Sequence, residues 1–196
     1  VQARGASGEE GPAAETLLEE LRRLGFQSVQ RDQWGNVIAR VGPDARPRLL
    51  FAAHMDTVPA DSREWSIDPF SGTEKDGRVY GRGASDMKGA LAAMVHAGGA
   101  MRGESLRGSV WITGTICEEI FEGAGLGKVV DSIQPDFVVI GESSDLAVNR
   151  GQRGRAEVIL ETRGVSAHSA HPEAGRNALK AMAPLLAEIE VIQLPH

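Results

Sequence analysis

The sequence predicts an α/β fold built on a mostly parallel sheet. Two observations carry that prediction. From Leu49 to Ile140, apolar strand-like runs alternate with helical stripes, the order that a parallel sheet with helices on both faces produces. Each run also ends in ligand-type side chains, at the strand ends where open α/β sheets bind their ligands.

The elements follow in order. Residues 1–11 are small, polar and glycine-rich and read as a loop. Pro12 suits a first helical turn, and Ala14, Leu17, Leu18, Leu21 and Leu24 repeat at helical spacing until Gly25 stops them. Ser28–Asp32 and Asn36–Val41 read as strands joined by a turn at Trp34-Gly35-Asn36. After a break from Pro43 to Pro47, Leu49-Leu50-Phe51-Ala52-Ala53 is a continuous apolar run, as in a buried parallel strand. It delivers His54-Met55-Asp56 to the mouth of the sheet. His54 and Asp56 are two apart, so an extended backbone projects them to one face. A carboxylate beside an imidazole can fix its tautomer for metal binding, while a turn with a local hydrogen bond is the other reading of the pair taken alone.

Pro59 to Ser85 is rich in turn residues, and a loop of that length in a compact domain is usually functional or disordered. A helix is expected to begin at Asp86, with Leu91, Ala92, Met94 and Val95 inward and Gly103 near its end. Ser109–Ile116 reads as a strand ending in Cys117-Glu118-Glu119, Gly123–Ile133 as a helix, and Phe137–Ile140 as a strand ending in Gly141-Glu142. The composition shifts near Arg150. Ala156–Thr162 alternates like a strand, Gly164–Gly175 is loop-like, and Arg176–Glu190 is helical. Two domains are therefore expected, residues 1–150 and 151–196, and a strand plus a helix cannot close a core alone.

The bulk composition narrows the function. A formal net charge of -6 with no long basic run argues against nucleic acid or anionic membrane as the main partner. Cys117 is the single cysteine, so no internal disulfide forms. No apolar run approaches the ~20 residues that span a bilayer, and no signal-peptide pattern opens the chain. A soluble cytoplasmic protein is the expectation, and the start at Val1 points to a missing or processed N-terminus.

Four element ends carry His54, Asp86, the Glu118-Glu119 pair and Glu142. Divalent ions such as zinc take imidazole and carboxylate ligands, and a carboxylate can bridge two ions. Adjacent glutamates at a strand end point in different directions, so one can bind metal while the other stays free as a base. For Asp86 alone, a helix N-cap is an equal reading.

The motifs His54-Met55-Asp56-Thr57-Val58-Pro59, Gly81-Arg82-Gly83-Ala84-Ser85-Asp86-Met87-Lys88-Gly89, Cys117-Glu118-Glu119 and Gly141-Glu142 together resemble those of a known family. It is the aminoacylase, acetylornithine deacetylase, succinyl-diaminopimelate desuccinylase and glutamate carboxypeptidase family of dinuclear zinc metallopeptidases. The order and gaps of the motifs match over nearly the whole chain. The resemblance implies a three-layer zinc-peptidase-like catalytic domain, followed by the start of an α+β, ferredoxin-like lid. It also implies two divalent ions, zinc with cobalt or manganese as alternatives. His54 and Glu142 would hold one and Glu119 the other, with Asp86 bridging and a cis peptide after Asp86. Asp56 would orient His54, and Glu118 would be the general base taking a proton from a metal-activated water.

Gly164-Val165-Ser166-Ala167-His168-Ser169-Ala170 and Pro172-Glu173-Ala174-Gly175-Arg176-Asn177-Ala178 resemble the family's lid motif. There the matching His helps hold the substrate carbonyl oxygen and the matching Asn lies near substrate, which implies those roles for His168 and Asn177. Without the motif, His168 reads as a solvent-facing loop histidine, as His171 does. Arg150, Arg153 and Arg155 fit either a substrate carboxylate or a solvated edge strand.

Two departures stand out. The family's fifth ligand is a His near the end of a chain about twice this long, and His196 lacks its motif. Ser143-Ser144 follow Glu142 where relatives usually have Pro. The expectation is an N-terminal portion of a zinc-dependent amidohydrolase acting on an N-acyl amino acid or small peptide, homodimeric through the complete lid. The alternative is a non-catalytic binding protein or inactive fragment that keeps the fold but lacks the last ligand.

Overall fold

The computed structural model describes residues 1–152 and 154–193. They divide into two compact units, Val1–Val148 and a second that begins at Asn149.

In the first unit, α1 (Gly11–Arg23) buries Ala13, Ala14, Leu17, Leu18 and Leu21, the stripe its spacing predicts. Strands β1 (Ser28–Arg31) and β2 (Val37–Val41) flank a turn in which Asp32 Oδ1 accepts from the amides of Trp34, Gly35 and Asn36. Strand β3 (Arg48–His54) follows the break. The long segment after it is not pure loop. It holds a 3₁₀ turn at Ser62–Glu64 and a small hairpin, β4 (Thr73–Lys75) with β5 (Arg78–Tyr80). Helix α2 (Gly89–Ala100), strand β6 (Ser109–Thr115), helix α3 (Ala124–Ile133) and strand β7 (Phe137–Ile140) complete the unit.

The main sheet runs β1-β2-β6-β3-β7. Strands β6, β3 and β7 are mutually parallel, and β2 is antiparallel to both β1 and β6. Four of the five strands thus point the same way, and the expected mostly parallel sheet is present. Strand pleating divides its residues between two cores. On one face Val37, Ala39, Val41, Ala53, Met55 and Ile112 pack with α1 and α2; on the other Ile38, Leu50 and Ala52 pack with Val129 and Ile133 of α3. Register places His54 opposite Thr115, and Ala52 opposite Ile140. The residues after β3, β6 and β7 therefore leave the sheet at one edge.

One helix boundary is corrected. Helix α2 starts at Gly89, not Asp86, and Ala84–Lys88 forms a separate turn in which Asp86 is extended at φ -120°, ψ 100°. Asp86 makes no capping bond, because its carboxylate is turned to His54 instead. The Asp86–Met87 peptide is cis.

In the second unit, α4 (Ala178–Glu190) begins two residues later than expected, because Asn177 caps it through Oδ1 to the amides of Leu179 and Lys180. Val165 and Arg176 exchange two main-chain hydrogen bonds and close the loop between them. The expected strand Ala156–Thr162 does not form. Among the described residues no strand lies alongside to supply a ladder, and Val158 and Ile159 are 78% and 84% exposed. Arg153 and His196 lie outside the described residues.

Candidate metal centre

The site is assembled from strand ends. His54, last residue of β3, is buried where β3 runs between β6 and β7, and its amide meets Met87 Sδ at 3.2 Å. Its Nδ1–H donates to the main-chain carbonyl of Asp56 at 2.9 Å, with the Asp56 carboxylate 3.5 Å away. That leaves Nε2 facing outward, 3.0 Å from Asp86 Oδ1 and 3.9 Å from both Glu118 Oε2 and Glu142 Oε1.

Two groups of three have ligand atoms within 4.8 Å of one another: His54, Asp86 and Glu119, and His54, Glu118 and Glu142. The donor set suits a divalent cation. It is one imidazole with its far nitrogen already engaged and four carboxylates whose mutual repulsion a cation would relieve. Burial and neighbouring charge together act on two of these acids. Burial pushes the Glu118 carboxyl up, with Glu142, Glu119 and Asp56 adding to it and His54 opposing. Burial likewise raises Glu142, with Asp86 the next cause.

All four predicted ligands and Glu118 are thus brought together, while His168 and Asn177 belong to the second unit. His168 is exposed, and its Nδ1 accepts from the Ala170 amide. Asn177 spends its side chain on the α4 cap.

Sequence reasoning missed several contributors. The segment before α1 lies against the site: Ser7 Oγ–H donates to Asp56 Oδ2 at 2.7 Å, and the Thr57 amide donates to the Gly5 carbonyl. Glu10 is buried and accepts from the Cys117 amide. Asn36 is buried, with Oδ1 accepting from the Ile116 amide and Nδ2 donating to Asp32. Lys88 Nζ donates to the Ala3 carbonyl. Ser143 is more than a departure from the family pattern, since its hydroxyl donates to the Ser85 carbonyl and ties the Asp86 and Glu142 loops together. The Ser-x-x-Glu spacing at Ser7 and Glu10, just before a helical stripe, was the one available signal for the first segment.

A model of the family described as peptidase family M20/M25/M40 matches residues 50–193. The chain belongs to this family. This M20 chain is 39% identical over 180 residues to the uncharacterized protein YgeY of Escherichia coli strain K12, covering 89% of itself and 44% of that protein. It is 37% identical over 188 residues to the succinyl-diaminopimelate desuccinylase of Herminiimonas arsenicoxydans, covering 88% and 50%. It therefore spans about half the length of the curated relatives it matches. Among solved structures, the M20 family metallo-carboxypeptidase Sso-CP2 of Sulfolobus solfataricus superposes with a TM-score of 0.61 at 27% identity, over 71% of the M20 chain and 35% of its own.

Proposed function

We propose that this chain carries the metal-binding residues of a dinuclear, zinc-dependent amidohydrolase that cleaves an N-acyl amino acid or small peptide. The observation behind the reading is the convergence of His54, Asp86, Glu118, Glu119 and Glu142 at one sheet edge of an M20 chain. A relative named for removing a succinyl group supports an acylated amino acid as substrate. In this reading His54 and Glu142 would hold one ion and Glu119 the other, with Asp86 available to both. Zinc is the first choice, with cobalt and manganese as alternatives. Bound ions would supply Lewis acidity to an amide carbonyl and lower the pKa of water at the site.

The side chains divide the remaining work. Asp56 keeps His54 Nδ1 engaged through its main chain, so Nε2 stays available. Glu118, shifted upward by burial, is placed to take a proton from water and return it to the leaving nitrogen. Residues 151–196 then begin a lid and dimerisation domain, from which His168 would hold the substrate carbonyl oxygen and Asn177 would lie near substrate. The complete protein is a cytoplasmic homodimer in this reading.

The test uses the complete reading frame that carries these residues, loaded with zinc and assayed on N-acetyl and N-succinyl amino acids and dipeptides. Two equivalents of zinc and release of free amine are expected. Glu118→Ala should abolish turnover and keep the metal, whereas Glu119→Ala should lose metal as well. A zinc-loaded protein inert on the whole panel overturns the reading, and the reverse pattern in the two variants exchanges the roles of the glutamates.

A further inference from the structure

Three successive main-chain amides lead into the Glu118-Glu119 pair, and a buried carboxylate takes each of them. The Cys117 N–H donates to Glu10 Oε1 at 2.9 Å, the Glu118 N–H to Asp56 Oδ1 at 3.0 Å, and the Glu119 N–H to Asp56 Oδ2 at 3.1 Å. Glu10 Oε1 also accepts from the Gly8 amide at 2.9 Å. Cys117 itself stands at φ +54°, a conformation that L-residues adopt at a cost. Bonds on both sides of that residue therefore hold the turn. Glu10 is only 5% exposed, belongs to neither ligand group, and sits immediately before the first residue of α1. It is anchored to a helix packed into the core, 107 positions from its partner in sequence.

We infer that Glu10 is a positioning residue for the metal centre: by accepting the Cys117 amide it aims the Glu118 and Glu119 side chains at His54. The inference rests on the metal reading above for its functional consequence. Its structural half stands separately. What Glu10 contributes is an acceptor oxygen at one point, so Glu10→Gln, which keeps a carbonyl oxygen there, preserves the function. Glu10→Met, of similar length without an acceptor, removes it. Loss of a partner that orients metal ligands typically weakens metal affinity about 10–100-fold.

The experiment titrates the 196-residue chain and both variants with zinc by calorimetry, and records the visible spectrum of each with cobalt(II). Glu10→Met should bind zinc at least about tenfold more weakly, with an altered cobalt spectrum. Glu10→Gln should match the parent in both. Exchange of the Cys117 amide proton, followed by NMR without metal, should be slow in the parent and in Glu10→Gln. Should Glu10→Met fail to fold, that exchange measurement decides: a fast-exchanging Cys117 amide in the parent overturns the proposal. Parent-like affinity and spectrum in a folded Glu10→Met also overturn it, as does equal damage in Glu10→Gln. If the parent binds no zinc, the metal reading fails, while slow exchange in the parent and Glu10→Gln still supports Glu10 as the anchor of the turn.

Discussion

Asp56 illustrates how much one side chain does at this site. Burial alone would raise its carboxyl, but the His54 contact, the Ser7 hydroxyl and the amides of Glu118 and Glu119 outweigh that and hold it at about 2. Burial also opposes charge on His54, and there the Asp56 and Asp86 contacts prevail and raise the imidazole to about 9. The two shifts act at opposite ends of the pH scale. A depressed carboxyl stabilises the fold above 3.8, its ordinary value, and that contribution is lost as pH falls through about 2. A raised imidazole stabilises fully below 6.5 and loses its contribution as pH rises through about 9. Both include the same His54–Asp56 contact, so they do not add. For the metal-free chain, the free energy of unfolding in urea should fall by on the order of 2 kcal/mol as the Asp56 carboxyl is protonated in acid. Asp56→Asn should flatten that part of the profile. An unchanged acid limb in the variant would show that Asp56 is not the group responsible.

The turn that carries Asp86 works as an element. Gly83 opens it at φ +80°, and a Cβ there would lie 2.6 Å from Thr57 Cγ2, so both backbone conformation and space demand glycine. Thr57 is buried and pairs with the first segment of the chain, which leaves it little room to yield. Ser143 then fastens this turn to the end of β7. Gly77, in the β4–β5 turn, provides the contrast, with φ +71° and nothing within 4 Å of the place a Cβ would take. Gly77→Ala should cost about 1–2 kcal/mol from the left-handed backbone alone and leave zinc affinity unchanged. Gly83→Ala should cost more than that in urea unfolding and weaken zinc binding, because the displaced turn carries Asp86. Equal effects of the two substitutions would remove the link between Gly83 and the site.

At the scale of the molecule, the proposed assignment gives one ion three ligands, His54, Asp86 and Glu142, but leaves the other only Glu119 and the shared Asp86 among the described residues. Catalytic zinc typically keeps three protein ligands. Titrating the metal-free 196-residue chain should therefore give one tight equivalent of zinc. Two tight equivalents would mean that a ligand outside the described residues, or from another chain, completes the second group. The sheet leads to a separate prediction. Strand β7 pairs only with β3 among the described residues, and Phe137, Val138, Val139 and Ile140 are all exposed. An apolar strand with a free edge is a template for another chain. The chain should sediment as an oligomer at micromolar concentration, and Val139→Lys should shift it towards monomer. A monodisperse monomer in the parent would show that this edge is inert.

Much of this protein follows from local pattern alone. The α1 stripe, the apolar run of β3, the strands β6 and β7, and the placement of His54 at a strand end and of Glu118, Glu119 and Glu142 just after others were legible because helical and strand periodicities are local properties of the chain. The motif order then led to the family that the comparisons establish. Other features depended on contacts that sequence spacing does not encode. Ala156–Thr162 alternates like a strand, but a strand exists only against a partner, and no partner strand lies beside it among the described residues. Asp86 reads as the start of a helix, yet His54, 32 positions away, draws its carboxylate and the helix starts later. Residues 1–11 read as a loop, and only the folded chain brings Ser7 to Asp56 and Glu10 to Cys117. Sequence by itself determined which residue types could form the site; the tertiary structure decided which buried acceptors hold them, because a hydrogen bond depends on distance in space and not along the chain.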